Sequence, residues 1–142
     1  MIAAADALTL LDGLRHERDG FTRMRELLQS HFEAALRHDS ERVRLAAERI
    51  TVLTERLDAL CSQRQQLVQR LTGGATRDAH ESLALRLPTK AADLLREQMR
   101  ELQALVQECK RLNVRNCELI VGQQDIMARV LNDGTQGTYA PA

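Results

Sequence analysis

The side chains with the most chemical reach in this 142-residue chain are four histidines, His16, His31, His38 and His80, and three cysteines, Cys61, Cys109 and Cys117. One histidine has neighbours that suggest a reaction. A helical histidine that carries a phosphoryl group is typically followed by lysine at the third position and glycine at the fourth. His16 is followed by Glu17, Arg18, Asp19 and Gly20. The glycine fits, but Asp19 stands where the cation is needed and would repel an incoming phosphoryl group. On that charge argument His16 is an ordinary exposed helical residue. No glutamate has a histidine three residues later, so the di-iron bundle motif is missing. No Cys or His pair has zinc spacing. There is no P-loop, dinucleotide glycine fingerprint or nucleophile elbow. The odd cysteine count, on helical patterns, points to reduced thiols in a cytosolic protein, serving as small buried or half-buried hydrophobes. No catalytic residue, cofactor or metal is assigned, and the expectation is a binding protein rather than an enzyme.

The elements that would position these residues are helical. Hydrophobic residues are 44% and charged residues 28% of the chain, a mixture that suits a folded domain rather than a disordered one. Leu, Ala, Arg, Gln and Glu dominate, aromatics are only 2%, and Pro occurs only at Pro88 and Pro141, so long helices run uninterrupted. Each half of the chain balances its charges, eleven of each sign in residues 1–71 and nine of each in 72–142. A nucleic-acid binder would show a basic face. No apolar run reaches the roughly 20 residues that span a bilayer. The apolar start, Met1 to Leu14, lacks a positive region and is broken by Asp6 and Asp12, unlike a signal peptide.

Three long patterns follow. Leu10, Leu14, Phe21, Met24, Leu28, Phe32 and Ala35 form a stripe from about Ala5 to Arg37, broken only by Glu17. Asp39 and Ser40 supply a stop and a new N-cap. Val43, Ala46, Ile50, Leu53, Leu57, Leu60, Arg64, Leu67 and Leu71 make a heptad seam with one polar exception, ended by Gly73 and Gly74. A polar linker, Thr72 to Ser82, leads to a short helical turn opened by Asp78. The third pattern starts at Pro88-Thr89 and runs through Leu95, Met99, Leu102, Val106, Cys109, Asn113, Asn116, Ile120, Met127 and Leu131, with Asn132-Asp133-Gly134 as its expected stop. The expected fold is all-α: an elongated antiparallel bundle of three long amphipathic helices with a short extra helix. Residues 1–134 would form the bundle domain and 135–142 a flexible tail.

The last helix carries a second apolar register, Leu105, Cys109, Leu112, Asn116, Leu119, Ile126 and Val130, beside the first. So wide a stripe means either a central helix touching both neighbours or a strip held for an amphipathic partner. Asn113 and Asn116, three apart, are expected to point the same way. Buried amides set register or choose partners; exposed ones are merely solvated.

The segment Asn113-Val114-Arg115-Asn116-Cys117-Glu118-Leu119-Ile120 resembles the Asn-x-x-Asn-Gly-x-Leu-Ile signature of the FlgN family, and Thr138-Tyr139-Ala140-Pro141 is similar to that family's closing Tyr-Gly-Pro. Cys117 and Ala140 stand where the family has glycine. The resemblance implies a cytosolic flagellar type III export chaperone that binds hook–filament junction proteins, keeps them soluble and delivers them to the export apparatus, without nucleotide or metal. It places Asn113, Asn116, Leu119 and Ile120 in the signature helix and Ile126, Met127, Val130 and Leu131 in the substrate-binding segment. Tyr139 would dock on the export gate. With Leu112 added, these are the candidate partner-binding residues. The competing readings are a coiled-coil adaptor or homo-oligomer using the Val43–Leu71 seam, and a phosphotransfer domain using His16.

Overall fold

The computed structural model describes residues 2–74 and 78–138, with side chains as far as Asn132. Four helices follow one another: α1 (Ala4–Leu36), α2 (Ser40–Thr72), α3 (Ala79–Ala84) and α4 (Thr89–Thr138). No strand occurs among the described residues, and the chain is all-α, as its composition leads one to expect. The boundaries follow local chemistry. α1 closes in a Schellman arrangement, with His38 in the left-handed conformation at φ 54° and the Asp39 N–H on the Ala34 carbonyl. Asp39 then caps α2 by accepting from the Arg42 N–H at 3.1 Å. Gly73, at φ 73°, ends α2 in the conformation glycine adopts without strain.

α4 does not stop at Asn132-Asp133-Gly134; it continues to Thr138. Asn and Asp disfavour a helix by well under about 1 kcal/mol and Gly by about that much, so the three slow a long helix without ending it.

The long helices run up, down and up, so consecutive ones are antiparallel while α1 and α4 are parallel. α1 is the central member. It packs on α2 along one side and α4 along the other, whereas among the described residues α2 and α4 do not reach each other at backbone-contact range. α3 plugs the gap between α2 and α4 at one end. Of the two readings left open for the wide stripe of α4, a central helix touching both neighbours is not what the fold shows. α1 itself is apolar on two sides: Leu27 and Ala34 line a depression shared with Leu45 and Ala46 of α2, while Leu28 and Ala35 lie under α4. At Gly20, Leu57 of α2 comes so close that an added Cβ would meet its Cδ2 at 2.5 Å. The α2 seam is spent on this packing, with Ala46 and Leu57 buried and the other apolar members half-buried.

The core has two parts. Leu10, Leu14, Val68, Leu83, Ala84, Ala92, Leu95 and Leu102 cluster around α3. Met24, Leu28, Leu57, Cys109 and Leu112 form the second cluster. Between them lies a polar layer built from the two residues that interrupt the sequence stripes. Glu17, 1% exposed, accepts from Arg64 Nε at 2.7 Å, and the Arg64 side chain is 11% exposed. Arg64 also donates to His80 Nε2 of α3 at 2.8 Å and to Cys61 Sγ at 3.5 Å. A guanidinium only donates, so His80 accepts as a neutral ring. Burial, then the charge of Arg64, holds His80 down at a pKa of about 4.

Two outcomes follow from this layer. Glu17→Ala leaves Arg64 buried without its counter-charge and is expected to cost about 3–5 kcal/mol in urea unfolding followed by helical circular dichroism. The paired replacement Glu17→Leu with Arg64→Met should restore most of that loss. Unfolded His80 takes up a proton near its ordinary value of 6.5, while the folded ring resists until about pH 4. The unfolded state therefore binds more protons across that window, and stability falls as pH drops through it. With the partial exposure of the ring discounted, the loss is about 1–2 kcal/mol. His80→Gln should remove this component, seen as a shallower dependence of the urea midpoint between pH 6.5 and 4.

Candidate functional site

The site is the second half of α4 and what holds it. Along α4 one line of residues seven apart faces α1: Leu95, Leu102, Cys109, Asn116, Gln123 and Val130. The first two are buried leucines. The next three each reach a backbone carbonyl of α1. Cys109 Sγ donates to Phe21 O at 3.4 Å, Asn116 Nδ2 to Leu28 O at 2.7 Å, and Gln123 Nε2 to Ala35 O at 2.8 Å. The acceptors are also seven apart, and the sequence offset is 88 residues in every case. This is a parallel heptad ladder in which side-chain donors of one helix grip the backbone of the other. Burial, then the nearby Glu108, pushes the Cys109 thiol pKa up and keeps its proton available for donation.

Asn116 is the most constrained rung, at 1% exposure. Its amide nitrogen also lies 3.4 Å from His31 Nδ1, and its Oδ1 accepts from Arg115 Nε at 3.2 Å and Nη2 at 3.1 Å. Burial lowers the His31 pKa, which favours the neutral ring able to accept that bond. Arg115 in turn stacks 3.6 Å over the Phe32 ring and donates to Gln29. The guanidinium is held between a ring, two amides and solvent.

The two signature asparagines therefore separate. Asn116 is buried against α1, whereas Asn113, about 60° round the helix, is exposed. Leu112 is buried in the second core cluster, and Leu119 and Ile120 are half-buried. Cys117 is exposed, unlike the small buried hydrophobe expected of it, because it sits one residue past the α1-facing line. Arg115, Cys109 and Gln123 act here without having been singled out as polar anchors. For Cys109 and Gln123 the signal was their spacing of seven from Asn116 on one face; Arg115 lies on the neighbouring line with Glu101 and Glu108.

Past Gln123 the support ends. An offset of 88 residues puts Leu36, the last residue of α1, level with Gln124. From Asp125 to Thr138, α4 projects alone. On it Ile126, Met127, Val130 and Leu131 are 62%, 59%, 60% and 61% exposed. Val130 follows the ladder, Ile126 follows Leu105, Leu112 and Leu119, and Met127 follows the flanking line of Val106, Asn113 and Ile120, while Leu131 follows the exposed line of Cys117 and Gln124. Tyr139 lies outside the described residues.

The family model described as FlgN protein matches residues 1–139. The chain belongs to the FlgN family. No curated protein and no solved structure matches it. FlgN is a family of flagellar export chaperones that bind hook-associated proteins, not one known for catalysis. No helix among the described residues is long and apolar enough to cross a membrane. The Nδ1 of His16 is 2.8 Å from the Asp12 carbonyl and 3.7 Å from the Asp12 carboxylate, which Arg15 also pairs with at 2.6 Å, and Asp19 is exposed nearby in sequence.

The ladder makes the two signature amides unequal in a measurable way. Asn116→Ala should lower stability by about 1–3 kcal/mol, since it strips a buried amide from the Leu28 carbonyl and removes one of the two side-chain acceptors of Arg115. Asn113→Ala should stay within about 0.5 kcal/mol of the parent. Urea midpoints of the two variants decide this.

Proposed function

We propose that this FlgN-family chain is a cytosolic export chaperone for hook–filament junction proteins, and that the projecting end of α4 takes the cargo. The supporting observation is the set of four adjacent aliphatic side chains, Ile126, Met127, Val130 and Leu131, exposed on a helix end that no other element among the described residues accompanies. Contiguous apolar surface of this kind on a monomer marks a place where another protein sits. Leu119 and Ile120, half-buried at its root, would form the near edge of the contact. Asn113 would lie on its exposed flank. Leu112 and Asn116 serve differently: they are used up in holding α4 against α1, and so they orient the projecting end rather than touch cargo.

In this reading the chaperone covers an aggregation-prone segment of its cargo, keeps it soluble and brings it to the type III export gate. Tyr139 is the residue we assign to docking on the export machinery. The exposed face is aliphatic and built on helical spacing, which suits an amphipathic partner segment. Self-association through the α2 seam draws no support from the fold, because that seam already packs inward. No nucleotide, metal or other cofactor enters the scheme.

The experiment is titration calorimetry of the intact chain against a purified junction protein, beside a chain ending at Gln124 and a Val130→Asp, Ile126→Asp double variant. Burying one such side chain is worth roughly 1.5–3 kcal/mol, so each altered chain should bind at least about tenfold more weakly. Helicity upstream of Gln124 should persist, because the ladder and both core clusters are untouched. Undiminished binding by the shortened chain would refute the proposal.

A further inference from the structure

The geometry points to a specific occupant for the projecting end of α4: an amphipathic helix of the partner that lies in line with α1, end to end, and repeats the pairing of α1 with α4. The inference rests on the cargo reading above and adds where the guest lies and what it must carry. The first observation is continuity. The two heptad lines that pack α4 on α1 run on without a phase change into Val130 and Ile126, and the half-buried flanking line of Val106 and Ile120 runs on into Met127. The apolar face of the projection therefore points where α1 would be if α1 were longer. Gln123, on the Ala35 carbonyl, marks where the intramolecular partner stops and the guest begins.

The second observation is the flank of the same seam. Along one edge, positions seven apart on α4 meet positions seven apart on α1. Arg18 pairs with Glu101 at 3.0 Å, Arg25 with Glu108 at 3.4 Å, and Phe32 lies under Arg115. The next two positions on that edge of α4 are Gly122 and Arg129. Gly122 has nothing within 4 Å of an added Cβ, so the edge is open there. Glu101 and Glu108 present carboxylates on this edge, Arg115 presents a cation, and Arg129, exposed, presents another beyond the end of α1. The charge sense of the seam has changed by Arg115, and a guest in α1's place carries an acidic side chain opposite Arg129. The fourteen residues from Asp125 to Thr138 span about 21 Å, so the matching guest helix has about four turns.

The test uses the full chain and synthetic helical peptides of fifteen residues with leucines at heptad spacing. One peptide carries glutamate at the flank position and its twin carries lysine. The glutamate peptide is expected to bind about two- to fivefold more tightly, as an exposed flank pair allows. Arg129→Glu should reverse that order, and Val130→Asp should abolish both. A photoreactive side chain at His38, on the exposed turn that ends α1, should cross-link the peptide's near end. The same group at Glu118, on the far face of α4, should not. Equal binding of the twins together with labelling from Glu118 instead of His38 would overturn the in-line geometry. So would concentration-dependent dimers of the chain lost in Val130→Asp, which would make a second copy the occupant. Either result with junction-protein binding still dependent on the residues past Gln124 leaves the cargo reading standing. Absence of junction-protein binding removes the cargo reading itself.

Discussion

The buried pair of Glu17 and Arg64 constrains everything else in the molecule. Two charges inside a helical bundle are tolerated only when each finds the other, because a lone buried charge costs several kcal/mol. Sliding α2 along α1 by one heptad would strand both. The pair therefore selects one register for the first two helices, and only in that register do the two apolar clusters close on either side of it. Arg64 then extends the selection to α3, since a neutral His80 is the acceptor its second arm needs. α3 closes one end of the bundle and sets where the chain turns into α4. A residue that weakens the hydrophobic seam thus specifies the register of the helices, a role well attested for single polar residues in helix seams.

The second register, between α1 and α4, is set by a different device. Hydrophobic side chains are poorly directional, and two parallel helices with leucine-rich faces could settle in several offsets. Side-chain donors on backbone carbonyls are directional. Cys109, Asn116 and Gln123 reach Phe21, Leu28 and Ala35 at one offset. With α4 seventeen residues longer than α1, a fixed offset decides which end of α4 is left over. α4 starts only three residues ahead of the level at which α1 starts, so fourteen of the seventeen surplus residues fall at the C-terminal end. The free surface is a consequence of register, and register is a consequence of three polar side chains.

Much of the fold was legible in the sequence. The long helices, the Asp39 cap and the Gly73 stop all follow from local chemistry, and helix ends came within about a residue wherever a cap or left-handed residue marked them. The end of α4 did not, because Asn132, Asp133 and Gly134 are only mildly unfavourable in a helix. Glu17 and Arg64 were visible as interruptions of two stripes, but nothing local says that two interruptions 47 residues apart complete each other. Which helix is central was not legible either. α4 shows a broad apolar face because it packs on α1 along part of its length and on nothing beyond Gln123; a sequence stripe does not record where its partner ends. The signature segment was found by likeness, while its division into a buried Asn116 and an exposed Asn113 needed the α1 backbone to be in place.

Under the proposed cargo role, the projecting end has a strength that suits a temporary grip. An isolated helix of fourteen residues is marginal in water, since starting a helix is costly. This one starts from a docked helix, so that cost is already met, and only propagation is at stake. Gly122, at the level where α1 ends and with open space around it, makes propagation there about 1 kcal/mol less favourable than alanine would. The four exposed aliphatic residues offer roughly 6–12 kcal/mol of gross burial. Ordering a guest segment takes back about 2–5 kcal/mol, and the loss of free motion on association takes more. What remains is at most about 6 kcal/mol from these side chains, a grip of tens of micromolar or weaker. A carrier that must surrender its cargo unfolded has no use for a tighter one, and a longer α1 that covered the same residues would leave it with none.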